Sequence, residues 1–82
     1  MFLSKIIVTL RPSILDPQGK AVEHAVASLN VGTFRDVRIG KYIEMKVDAS
    51  DETAARSATE EVCRKLLANP VMEDYRFEIV KL

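Results

Sequence analysis

The chain has 82 residues, 48% of them hydrophobic, with 12 basic residues, 12 acidic residues and a single cysteine. That length makes one domain, 1–82, burying only roughly 60–65% of its unfolded surface, so a single core is marginal without a partner. Zero formal net charge leaves no basic footprint for nucleic acid, no apolar run nears the roughly 18 residues of a membrane span, and lone Cys63 and His24 make neither a disulfide nor a Cys/His metal cage.

Residues 2–10, FLSKIIVTL, are apolar and β-branched and stop at Arg11-Pro12, where proline removes a backbone donor. Phe2, Ile6, Val8 and Leu10 take one face and Leu3, Lys5, Ile7 and Thr9 the other, so a strand covered on both sides is expected. In the following stretch, LDPQGKAVEHAVASLN, Asp16 is suited to an N-cap and Pro17 to the first helical position. Ala21, Val22, Ala25, Val26 and Leu29 recur at helical spacing, and Asn30 and Gly32 supply stop signals, which predicts a helix over 17–29.

Residues 33–48, TFRDVRIGKYIEMKVD, alternate with period two. Val37, Ile39, Ile43, Met45 and Val47 share one parity, and Asp36, Arg38, Tyr42, Glu44, Lys46 and Asp48 the other. The pattern predicts a hairpin turning around Gly40-Lys41, with an odd-length loop or a bulge at Gly40 keeping the faces in phase. The segment SDETAARSATEEVCRKLLANP reads as a second helix capped by Ser50, with Asp51 and Glu52 in its first turn. Ala55, Ala58, Val62, Cys63, Leu66 and Leu67 form its apolar stripe, and Glu60–Arg64 and Glu61–Lys65 are i,i+4 pairs. Tyr75, Phe77 and Ile79 alternate along a last strand. The order β-α-β-β-α-β predicts an α+β fold: a four-stranded antiparallel sheet with two helices on one face, ferredoxin-like in arrangement. The uncovered side of that sheet is expected to keep apolar surface and to self-associate through it.

No catalytic constellation emerges. His24 sits one position off the helical stripe with no orienting group fixed beside it, and Cys63 belongs to a packing stripe. Glu73 and Asp74 read as a solvated turn. Gly19-Lys20 lacks the phosphate-loop frame, since Ala21 stands where Ser or Thr belongs. A helix start can still meet an anion with its free amides, although capping by Asp16 accounts for the segment without a ligand. Among ferredoxin-like modules, a metal chaperone would need a second cysteine. An RNA-recognition module would need more aromatics than Tyr42 on its central strands. A stand-alone small-molecule regulatory or binding module stays open as an alternative.

Taken together, VTLRPSILDPQGKAVEHAVASL, DVRIGKYIEMKV and CRKLLANPVMEDYRFEI closely resemble the PurS family, the small subunit of phosphoribosylformylglycinamidine synthase. One departure is Ser13, where the family pattern has glycine. The resemblance implies a non-catalytic assembly subunit that pairs with itself as a dimer or tetramer. It implies two further partners, a large ATP-dependent synthetase subunit and a glutaminase subunit, acting together in purine synthesis; the one unpaired thiol fits a reducing compartment, and a cytoplasmic chain is expected. ATP and magnesium would be used by that complex and no cofactor or metal held by this chain. The expected partner contacts are Arg11 in the loop 11–15, Gln18, Gly19 and Lys20 at the first helix start, and Arg38, Gly40, Lys41 and Tyr42 at the hairpin.

Overall fold

The computed structural model describes residues 1–82. Strand β1 (Phe2–Leu10) lies at the centre of a three-stranded antiparallel sheet, between β2 (Gly40–Val47) and β3 (Glu73–Lys81). Its Ile6 faces Ile43 on one side and Phe77 on the other. Helix α2 (Glu52–Val62) covers one face of the sheet. There Ile6, Val8, Cys63 and Ala68 form one buried cluster, and Phe2, Ala55 and Ile79 form another. Ser4 and Thr59 are the buried polar pair between sheet and helix, their hydroxyls 2.7 Å apart. Each satisfies the other, which removes the desolvation penalty of a lone buried hydroxyl.

Helix α2 presents Ala55, Thr59 and Cys63 to the core, four residues apart. Its cap is Asp51, whose carboxylate accepts from the Ala54 amide at 2.8 Å, and not Ser50. Beyond Val62 the helix widens into one π-turn, Cys63–Leu67, closed by Ala68 N–H donating to Cys63 O. The extra residue in that turn rotates the expected stripe. Leu67 and Ala68 pack inward, while Leu66 points to solvent.

Three expectations from the sequence are corrected. The fourth strand does not form within the chain, and there is no turn at Gly40. Residues 33–39 are irregular and run straight on into β2, whose first residue, Gly40, already pairs with Thr9. A Cβ at Gly40 would lie 2.7 Å from Val8 O, so glycine here permits close strand pairing.

Second, only one helix covers the sheet. Helix α1 (Pro17–Ser28) projects from it, leaving Ala21, Val22, Ala25 and Leu29 exposed. The molecule therefore measures 51 × 28 × 13 Å, with a radius of gyration of 16.2 Å, against about 12 Å for a compact chain of this length.

Third, β1 is covered on one face only, and the other side of the sheet is no continuous apolar surface. On that open side Lys5 lies between Glu44 and Glu78, and Ile7 between Tyr42 and Arg76. Opposite charges meet across strands, and Leu3 and Ile7 are half-buried among them. The exposed apolar surface sits elsewhere, on α1 and the segment after it, where Leu29, Val31 and Phe34 are 66%, 70% and 55% exposed.

Candidate functional site

Asp16 is the hub where two of the expected contact residues, Gly19 and Arg38, come together. As the α1 cap, its Oδ1 accepts from Gly19 N–H at 2.9 Å, and Oδ2 accepts from Ile39 N–H at 2.7 Å. One carboxylate thus starts the helix and fastens the returning chain to it. The Ile39 and Gly19 amides, assisted by the Arg38 charge, hold the Asp16 carboxyl below its ordinary value despite its desolvation. About two turns beyond Asp16, Glu23 accepts from Val37 N–H at 3.2 Å. That bond is the main reason its carboxyl is also lowered. Residues 31–39 therefore form an arm clamped along the first half of α1, with Asp36 at φ 56° just before the clamp.

Gly19 is buried at this clamp. A Cβ there would stand 2.2 Å from Val37 O, far inside contact distance. The close approach that this glycine permits is made by the chain's own arm, so Gly19 presents no surface to a partner. Its amide is also taken by Asp16, so Gly19 serves the cap and the packing of the arm. Gln18 and Lys20 are exposed on the same turn, Lys20 with its ammonium 3.6 Å from Glu23. The backbone at Ser13 has no positive φ, so the serine meets no left-handed requirement.

Arg38 donates to Arg11 O at 3.0 Å and Ile14 O at 2.8 Å, ordering the loop between β1 and α1. Arg11 in turn donates to Pro70 O at 2.6 Å and lies 3.4 Å from Asp74. Lys41 sits 3.8 Å from Glu73. Glu73 and Asp74 are thus ion-pair partners of Lys41 and Arg11 at the start of β3, not a free solvated turn. The register places Thr9 beside both Gly40 and Asp74, a proximity that a linear pattern does not reveal. Tyr42 stands apart, exposed on the open side of the sheet and donating to Glu44 at 2.7 Å. That bond to a carboxylate favours the neutral phenol and raises its pKa. The expected contacts therefore divide: Arg11 and Arg38 brace loops, Lys41 links the starts of β2 and β3, Gln18 and Lys20 ride on α1, and Tyr42 faces away from these groups.

Cys63 is fully buried in the core, where burial pushes its thiol up. His24 is exposed on α1. No group of three or more His, Cys, Asp or Glu side chains is arranged to hold a metal ion, and no helix is long and apolar enough to cross a membrane. What this arrangement supplies is a braced, protruding helix and arm, most of whose apolar residues stay exposed.

A family model described as PurS, phosphoribosylformylglycinamidine (FGAM) synthase, matches residues 3–81. The chain belongs to the PurS family. It is 48% identical over 79 residues to phosphoribosylformylglycinamidine synthase subunit PurS of Bacillus subtilis, covering 96% of this chain and 93% of that relative. It is 49% identical over 78 residues to the PurS subunit of a Synechocystis species, covering 95% and 78%. Among solved structures it is similar to Bacillus subtilis PurS in its C2 crystal form, at 47% identity and a TM-score of 0.86 over 99% of this chain and 100% of that one. It is also similar to a chain in the structure of PurLQS from Thermotoga maritima, at 27% identity and a TM-score of 0.87, covering 98% and 99%. The three-stranded sheet with two helices is thus an α+β arrangement shared with PurS structures.

Proposed function

We propose that this chain is the small, non-catalytic subunit of phosphoribosylformylglycinamidine synthase. It joins a large ATP-dependent synthetase subunit to a glutaminase subunit, so that ammonia from glutamine amidates formylglycinamide ribonucleotide in purine biosynthesis. The observation that carries this is family membership over residues 3–81, together with the likeness to a PurLQS chain. In this reading ATP and magnesium are used by the large subunit, this chain holds no cofactor, and the complex works in the cytoplasm.

The physical shape supports a role in association. The accessible surface is 6019 Å², whereas a compact monomer of 9.2 kDa exposes about 4,900 Å². The excess of about 1,100 Å² is comparable to the roughly 800 Å² that each partner buries in a standard interface. Only 11 of 82 residues are buried, so part of the burial expected of a chain this size is left for other chains to supply. We assign the first layer of that burial to a second copy covering the apolar side of α1 and the arm. A fourth strand made by residues 33–39 would then form on a neighbouring copy, not within the chain. Gln18 and Lys20, beside this surface, and Tyr42, on the open side of the sheet, remain our candidates for contact with the larger subunits.

Reconstitution tests the assignment. With the synthetase and glutaminase subunits of the same organism, adding this chain is expected to restore glutamine-dependent amidation. Unchanged glutamine-dependent turnover in its absence would refute the role.

A further inference from the structure

Strand β3 is an outer strand with one edge unpaired. The phase of its ladder follows from the bonds that bracket it, Arg11 N–H to Met72 O at one end and Leu82 N–H to Met1 O at the other. Even-numbered residues of β3 bond inward to β1. Tyr75, Phe77 and Ile79 therefore turn their N–H and C=O groups toward the free edge. Beside that edge runs an open groove of about 770 Å³ between β3 and α2, lined by Arg56, Glu60, Arg64, Tyr75, Arg76 and Phe77 among others.

The charges in this groove are not balanced. Glu60 accepts from the Tyr75 hydroxyl, and Glu61 is held by Lys65 at 2.6 Å. Arg56, Arg64 and Arg76 have no carboxylate within 4.0 Å. Arg56 only lies over the Phe77 ring, 5.6 Å from its centre. The groove's carboxylates are thus committed and its guanidiniums are free.

We propose that this groove takes an extended, acidic segment of a partner polypeptide, which adds as a strand to the free edge of β3 and places its carboxylates against Arg56 and Arg64. The unpaired backbone groups supply affinity and the arginines supply selection, as in other strand-addition sites. The spacing agrees. Eight helical residues separate the two arginines by about 12 Å, and acidic side chains four residues apart on a strand are separated by about 13 Å. The chain's own arm is a poor occupant, because it carries Arg35 and Arg38 against Asp36 alone. A second copy adding its own β3 edge would bring a second set of Arg56 and Arg64 with no free groove carboxylate to offer them. The segment belongs to one of the larger subunits, an identification that rests on the function proposed above.

Amide exchange on the full chain, alone and in complex with the synthetase and glutaminase subunits, tests this. Exchange at Tyr75 and Phe77 is expected to slow at least about tenfold on assembly. The double variant Arg56→Glu/Arg64→Glu should lose that protection and bind the larger subunits at least about tenfold more weakly, with self-association unchanged. Arg56→Lys/Arg64→Lys should keep both properties in large part. An intact complex whose Tyr75 and Phe77 amides stay unprotected overturns the groove assignment alone, as does full assembly by the Glu variant. Protection that arises on concentrating the isolated chain overturns it in favour of a second copy. Failure of any complex to form refutes the subunit function and this proposal with it.

Discussion

Replacing Gly19 with alanine is a change that ordinarily favours a helix, by about 1 kcal/mol in an interior position. Here it is expected to do harm, chiefly through its contact with the arm and also through one with the Asp16 carboxylate, 2.8 Å away. The added Cβ would stand 2.2 Å from Val37 O, and ordinary contact begins at 3.4 Å, so the carbonyl must retreat by about 1.2 Å. No flexible side chain can absorb that movement, since the obstacle is backbone. A shift of this size carries the 3.2 Å bond from Val37 N–H to Glu23 beyond hydrogen-bonding range. It also strains the 2.7 Å bond from Ile39 N–H to Asp16. The arm should come off α1 while the sheet and α2, which neither bond touches, stay folded. Exchange at the Val37 and Ile39 amides is expected to accelerate by about tenfold, the equivalent of one net hydrogen bond. Core amides of β1 should be unaffected, and self-association should weaken. Gly32→Ala is the control, because its Cβ would meet only the movable Phe34 ring, at 3.3 Å. A Gly19→Ala protein with unchanged arm protection and unchanged self-association would refute the clamp.

Three further expectations concern the cap, the polar pair and the thiol. The Asp16 carboxyl is held below its ordinary 3.8. A group depressed in the folded state stabilises above its unfolded-state value, and that contribution disappears as pH falls through the folded-state value. Arm protection should therefore be constant near neutral pH and fail only under acid, below about 3.8. Asp16→Asn should weaken the clamp where the native carboxylate is ionised and leave only the part of the acid step carried by Glu23; a loss of protection already near neutrality in the native chain would contradict the assignment. Thr59→Val strands the buried Ser4 hydroxyl and should cost about 1–3 kcal/mol in denaturant unfolding, most of it recovered in Ser4→Ala/Thr59→Val. A double variant as unstable as the sum of the singles would show that the two hydroxyls are not coupled. Cys63 is buried with a raised pKa, so iodoacetamide should label it only on unfolding, and rapid labelling of the folded chain would place it elsewhere.

The elements were largely legible because each carries its own period. Phe2 to Leu10 alternates, Asp16-Pro17 announces a helix start, and Ala55 to Cys63 marks a covered helix face. What α1 would pack against was not legible. Ala21, Val22, Ala25 and Leu29 say that a helix face is apolar, without saying whether its cover comes from the same chain. Gly40 misled for a related reason. A missing Cβ serves a turn and a close strand approach equally well, and only the Thr9 register separates them. The π-turn at Cys63–Leu67 leaves no mark in the apolar spacing, yet it decides that Leu67 enters the core and Leu66 does not. At the candidate interface Asp16 was visible as a cap. Its second bond, to Ile39, spans 23 residues and had no local signal.

Sedimentation velocity of this chain mixed with the synthetase and glutaminase subunits, in the presence of nucleotide and glutamine, tests the subunit assignment most directly. The account predicts one boundary carrying all three chains, and a self-associated species when the small chain is run alone. A small chain that sediments as a compact monomer, separate from both larger subunits under those conditions, would contradict it.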